Sequence, residues 1–96
     1  MEKFSIEKFD GFFNAILKLD TLEACRKFFE DVCTIKELQD ISQRLEVAAS
    51  LKAGKNYQTI TKETGASTAT ISRVNKCLNY GSGGYELVLQ ETAGGK

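Results

Sequence analysis

The 96-residue chain contains no histidine. Without an imidazole, Ser-His and Cys-His nucleophilic catalysis is excluded, as are zinc sites that mix His with Cys. Cysteine is scarce: Cys25, Cys33 and Cys77 are odd in number, and none stands in a Cys-x-x-Cys pair. Buried free thiols packing as small hydrophobes are the expectation for all three. No spacing of carboxylates nominates an acid–base pair. The chain is therefore not expected to be an enzyme, and its residues imply no metal and no cofactor. Long apolar runs are also missing, since none approaches the ~20 residues of a membrane span. Met1-Glu2-Lys3-Phe4 lacks the hydrophobic stretch of a signal peptide. A cytoplasmic protein with no membrane partner is expected.

Net charge is absent too, with 13 bases against 13 acids. The balance is uneven along the chain, however. Residues 1–48 hold ten acids and seven bases, whereas residues 49–96 hold three acids and six bases. Between 52 and 76, Lys52, Lys55, Lys62, Arg73 and Lys76 face only Glu63. A neutral protein with such a basic segment can bind a polyanion locally while the rest stays neutral or acidic.

What is present fits one soluble domain over 1–90 with a flexible tail at 91–96. Hydrophobic residues make up 42% and charged residues 27%, too apolar for a disordered chain. All six phenylalanines, Phe4, Phe9, Phe12, Phe13, Phe28 and Phe29, lie in the first third. They read either as core or as a dimer interface. A chain this short buries only about 60–68% of its unfolded surface, so a dimer interface is the expectation. Phe9 to Lys18 lacks the strongly basic polar face of a membrane-surface helix.

The apolar periodicity is helical throughout, and no strand alternation emerges. Residues 6–19 read as an amphipathic helix with Ser5 as N-cap. Asp20 with Glu23 resembles a capping box that opens a second helix through Val32. Thr34 with Glu37 opens a long third helix whose Ile35, Leu38, Ile41, Leu45, Ala48 and Ala49 share a face, ending at Gly54. Asn56 caps a helix from Tyr57 to about Thr64, Gly65-Ala66-Ser67 turns, and a helix runs from Thr68 to about Asn79. Gly81-Ser82-Gly83-Gly84 breaks it before a last short helix, Tyr85 to Gln90. The fold expected is all-α, with about six helices.

Residues 57–79 have the spacing of a helix-turn-helix. Ile60, Ala66, Ile71 and Val74 supply the apolar positions that lock two short helices, although Thr64 stands where another apolar residue is usual. Gly65 starts the turn, where φ > 0 is needed. Ser67 can cap the second helix and offer its N-terminal end to a phosphate or a groove. The outward side then holds Thr68, Ala69, Thr70, Ser72, Arg73 and Lys76. Small residues allow close entry to a major groove, and hydroxyls can bond base edges or phosphates. Arg73 and Lys76 lie further along, as phosphate contacts that position without specifying. Double-stranded DNA is the partner this chemistry points to. The alternative is a helical protein-interaction module that has the shape without reading DNA.

Gly65-Ala66-Ser67-Thr68-Ala69-Thr70-Ile71-Ser72-Arg73 resembles the Gly-Ala-x-x-Ala-Thr-Ile-[Ser/Thr]-Arg run of the Trp repressor family. Arg44-Leu45-Glu46-Val47 through Gly54 resembles the end of that family's long third helix. Gly84-Tyr85-Glu86 is similar to a segment of its YerC/YecD-type branch. The resemblance covers roughly 34–80 and implies an intertwined, all-helical homodimer that reads a palindrome with half-sites ~34 Å apart, its base contacts carried largely by water. By position it implies that Gln58, Thr61, Thr68, Ala69 and Ser72 approach the DNA, with Gln58 and Thr61 replacing basic residues.

The resemblance also implies a small-molecule pocket. Thr34, Arg44, Thr70 and Arg73 match residues that surround a tryptophan corepressor, with two arginines sandwiching the indole. Val74 replaces a glycine against which the indole packs, and Cys77 replaces a serine near the ligand's amino group. An isopropyl group in a close-packed slot costs about 1–3 kcal/mol. The expectation is therefore a pocket not used for tryptophan, with reading heads set permanently or by another ligand. Arg44 would then pair with Glu46 or Asp40, and Arg73 would contact phosphate.

Overall fold

The computed structural model describes residues 4–90, so the expected tail at 91–96 lies outside the described residues. Six α-helices and one 3₁₀ turn follow in chain order, with no strand among the described residues. None of these helices is long and apolar enough to cross a membrane. The chain divides into two compact units, one ending at Ile35 and the other beginning at Lys36.

In the first unit the expected helix over 6–19 is split. Ile6–Phe9 forms a 3₁₀ turn and α1 spans only Asp10–Ile16. Ser5 holds the cap position, but its side chain accepts no backbone N–H. Its hydroxyl donates instead to the Glu7 carboxylate, which holds that carboxyl below its usual range. The opening turn closes tightly, with the Lys8 N–H on the Ser5 carbonyl at 3.2 Å. Helix α2, Leu22–Val32, is capped by Thr21 rather than Asp20. The Thr21 backbone is extended, and its hydroxyl accepts from the Ala24 N–H at 3.0 Å. From Asp20 that amide is one residue further along than a cap reaches.

Phenylalanine rings meet across this unit. Phe12 and Phe28 join α1 to α2 with centroids 6.0 Å apart, and Phe28 meets Phe29 edge-on at 5.3 Å. Those separations lie where aromatic quadrupoles attract. Yet no residue of the 3₁₀ turn, α1 or α2 is buried. Phe4, Ile6, Leu17 and Leu22 are all more than half exposed.

The second unit is built on α3, Ile35–Lys52. The helix ends in a Schellman arrangement: the Lys55 N–H reaches the Ser50 carbonyl (3.1 Å), the Gly54 N–H reaches Leu51 (3.0 Å), and Gly54 sits at φ 85°. Helices α4 (Tyr57–Thr64), α5 (Thr68–Tyr80) and α6 (Gly84–Leu89) follow. The core is Val47, Ala48, Ile60, Ala66, Ile71 and Val74, none more than 1% exposed. Leu51, Tyr57, Leu78, Tyr85 and Leu89 pack around it.

The α3 face differs from the one expected. Ala48 is in the core, but its buried neighbour is Val47, while Ile35, Ile41, Leu45 and Ala49 are exposed. The covered stripe runs through Gln43, Val47, Ala48 and Leu51, beside the one that carries Ile41, Leu45 and Ala49, which stays exposed. The three cysteines are free, as expected, but none is buried: Cys25 and Cys33 are half-buried and Cys77 is exposed. Cys77 follows Arg73 by one helical turn and so turns away from the Ile71 side of α5.

Ile71, fully buried at the centre of the small core, offers a test. Ile71→Ala should lower unfolding free energy by about 2–5 kcal/mol in urea melts. A loss below about 1 kcal/mol would contradict this packing.

Candidate nucleic-acid interface

Two short helices and a three-residue turn form the helix-turn-helix, and each junction has a local cause. Asn56 caps α4 by accepting from the Thr59 N–H at 2.8 Å. Gly65 ends α4 at φ 79°, a left-handed conformation that costs an L side chain about 1–2 kcal/mol. Ser67 caps α5, with its Oγ accepting from the Thr70 N–H at 3.1 Å and donating to the Thr70 hydroxyl at 3.2 Å. Thr64, the imperfect match to an apolar pattern, has a polar task. Its hydroxyl donates to the Ile60 carbonyl (2.8 Å) and accepts from the Ala66 N–H (3.1 Å), satisfying a donor that the turn would otherwise leave unpaired.

With Ile71 and Val74 turned into the core, the other side of α5 is open. Ser67, Thr68, Ala69, Ser72, Arg73 and Lys76 are exposed, and Thr70 is half-buried beneath the cap. Thr68, Ser72 and Lys76 follow one another at four-residue spacing and share a stripe. On α4, Gln58 and Thr61 are exposed.

Ion pairing sorts the basic segment. Lys52 meets Glu86 at 2.6 Å, and Lys55 meets Glu63 at 2.7 Å. The single acid of the segment is thereby engaged. Among the described residues Lys62, Arg73 and Lys76 have no ion pair, and all three are exposed. Such exposed pairs add little stability. Their consequence is that the unneutralised positive charge of this segment lies on α4 and α5 themselves.

Beside this face lies a recess of about 470 Å³. Arg44, Thr70, Arg73, Val74 and Cys77 line it together, as five of the six nominated pocket residues, with Asp40, Gln43 and Tyr85. Thr34 is an exposed residue immediately before α3, in the first unit. The pairing expected for Arg44 does not form: Asp40 accepts from Lys36 at 3.0 Å, and Arg44 has no ion pair among the described residues. Lys36 and Arg44 each stand one helical turn from Asp40 on α3, on opposite sides of it, and it is Lys36 that takes the carboxylate. Val74 belongs to both the core and the recess wall. Two guanidinium groups on one concave surface suit a planar anion such as a carboxylate. A second recess, of about 530 Å³, adjoins it along Ile41, Leu45, Val88 and the Gly81–Gly84 loop.

Sequence reasoning did not nominate Gln43 or Tyr85. Gln43 lies four positions before Val47, in register with the buried face of α3, a register that the apolar pattern of the sequence does not single out. Its Nε2 donates to the Thr64 carbonyl at 3.1 Å. Tyr85 faces both recesses and could be anticipated only from the glycine loop that folds α6 back.

The Trp repressor protein family profile matches residues 7–93. The uncharacterized protein YerC of Bacillus subtilis (strain 168) is 54% identical over 89 residues, covering 93% of this chain and 86% of the relative. A TrpR-like protein from Eubacterium eligens has a crystal structure similar to this one, with TM-score 0.84, 50% identity, and 90% and 89% of the two chains covered. The crystal structure of a candidate Trp repressor from Staphylococcus aureus is equally similar in shape, with TM-score 0.84, 48% identity, and 91% and 92% covered.

The Ser67 cap is the part of this face that one substitution isolates. Ser67→Ala should cost about 0.5–2 kcal/mol by thermal melts followed at 222 nm. An unchanged midpoint would show that the cap does not organise α5.

Proposed function

The chain belongs to the Trp repressor family, and on that premise we propose that it is a sequence-specific DNA-binding regulator, a repressor that reads a palindromic operator as a homodimer. Helix α5 enters the major groove and α4 lies across the backbone beside it. Ser67, Thr68, Ala69, Thr70 and Ser72 approach the bases or the phosphates near them. Gln58, Thr61, Arg73 and Lys76 hold the backbone. The site of action is the cytoplasm. The observation that carries this reading is the open side of α5, which is small, hydroxyl-bearing and basic, while the opposite side is fully buried.

A second copy is favoured by how little the single chain buries. Among the described residues only four large side chains, Val47, Ile60, Ile71 and Val74, are fully covered, a thin core for a chain of this length. The phenylalanine-rich unit, with no buried residue among those described, is where further apolar burial is available. Twofold pairing gives two equivalent α5 helices, and hence a palindrome.

Tryptophan has no place in this reading. Val74 is packed into the core where the resemblance implies a glycine against which the indole packs, and trimming it to admit an indole would open the core itself. With Arg73 on the DNA backbone, Arg44, which has no ion pair among the described residues, remains available to another anion.

Selection of a random duplex library by the purified protein, at moderate salt with no amino acid added, tests the proposal. A palindrome with half-sites ~34 Å apart is expected. Arg73→Ala should weaken binding across sequences and reduce the salt slope by about one, whereas Thr68→Ala or Ser72→Ala should change the preferred sequence. No enrichment would point either to a ligand that must set the reading heads or to a helical module for protein contacts.

A further inference from the structure

The six core side chains hold α4 and α5 against α3, but apolar burial is non-directional and leaves the turn between them free to adjust. Hydrogen bonds have direction, and one crosses from α3 to this turn. The Gln43 Nε2 donates to the Thr64 carbonyl at 3.1 Å, between two half-buried residues 21 positions apart. Only the NH₂ end of a glutamine amide can donate to a carbonyl, so the chemistry fixes how the side chain is turned. The acceptor lies at the last residue of α4, where helix carbonyls have no partner within the helix. The next residue is Gly65 at φ 79°, and a Cβ placed there would meet the same Nε2 at 3.8 Å. The amide therefore lies directly over the turn. Thr64 supplies the remaining satisfaction from within, through Ile60 and Ala66. The Gln43 side chain also lines the arginine recess.

We propose that Gln43 is a positioning residue for DNA recognition, whose amide clamps the α4–α5 turn to α3 so that the reading head is set by the chain itself. It touches no DNA and acts through Thr64. The clamp explains how α5 is held ready with no ligand bound, and the inference rests on the DNA-binding reading only for its affinity readout.

The test uses Gln43→Met, which keeps length and helix propensity but has no donor. The circular dichroism spectrum should match the parent's, and the melting midpoint should fall by about 3–10 °C. Amide hydrogen exchange at Gly65 and Ala66 should quicken about three- to tenfold, as loss of one such bond requires. The Kd for the selected duplex should rise by a similar factor with an unchanged salt slope, because no phosphate contact is altered. Gln43→Glu supplies the readout that a merely structural role would not move. Its ionised carboxylate cannot donate, so binding relative to the parent should be weak at pH 8 and recover as pH falls towards about 4.3. Unchanged exchange in Gln43→Met overturns the clamp, whether or not a DNA site is known. Faster exchange with an unchanged Kd overturns its role in recognition. Failure of the parent to select any duplex sinks a reading head set for DNA by the chain itself, while the exchange still decides the clamp.

Discussion

Burial of Val47, Ala48, Ile60, Ala66, Ile71 and Val74 against one another is the constraint on which the rest of the structure depends. Two helices of eight and thirteen residues are too short to persist alone in water. They persist because Ile60, Ile71 and Val74 lock them to each other and to Val47 and Ala48 of α3. Once that face is spent on the core, the opposite side of α5 must lie in water, and its residues are free to be chosen for what they contact. The left-handed Gly65 and the Ser67 cap then complete the geometry locally.

The same economy of burial explains the contrast between the two units. The second closes over a small core and presents a polar face. The first gathers phenylalanines into ring contacts yet leaves Phe4, Phe9, Phe12 and Phe13 exposed. Pairing of two copies, as proposed above, would give both observations one cause. The exposed stripe of Ile35, Ile41 and Leu45 on α3 belongs to that cause as well, since these residues follow the helical period yet meet no core in the single chain.

What was legible in the sequence was local. Asn56, Gly65 and Ser67 act on amides or dihedrals within three residues, so their roles follow from type and spacing. Gly54 does so too. Where two neighbours could do the same job, type was insufficient: Asp20 and Thr21 are both good caps, and only the backbone distinguishes them. Ser5 was placed correctly but its hydroxyl goes to Glu7. Val47 was missed because α3 has apolar residues on more than one face, and periodicity alone cannot say which of them a later segment will cover. Gln43 was hidden for another reason. Its partner is a backbone carbonyl 21 residues away, which leaves no mark in residue type. The recess was legible in Arg44, Thr70, Arg73, Val74 and Cys77 through the family resemblance, whereas Tyr85 enters it only because α6 folds back.

The most direct measurement of the central claim is a backbone amide map of the protein, by heteronuclear NMR, as its selected duplex is added. Perturbations should concentrate from Ser67 to Lys76 and at Gln58 and Thr61, with the buried Val47 and Ile60 amides changing little. Perturbations centred on the phenylalanine-rich unit, with α5 silent, would contradict the assignment of α5 as the reading helix.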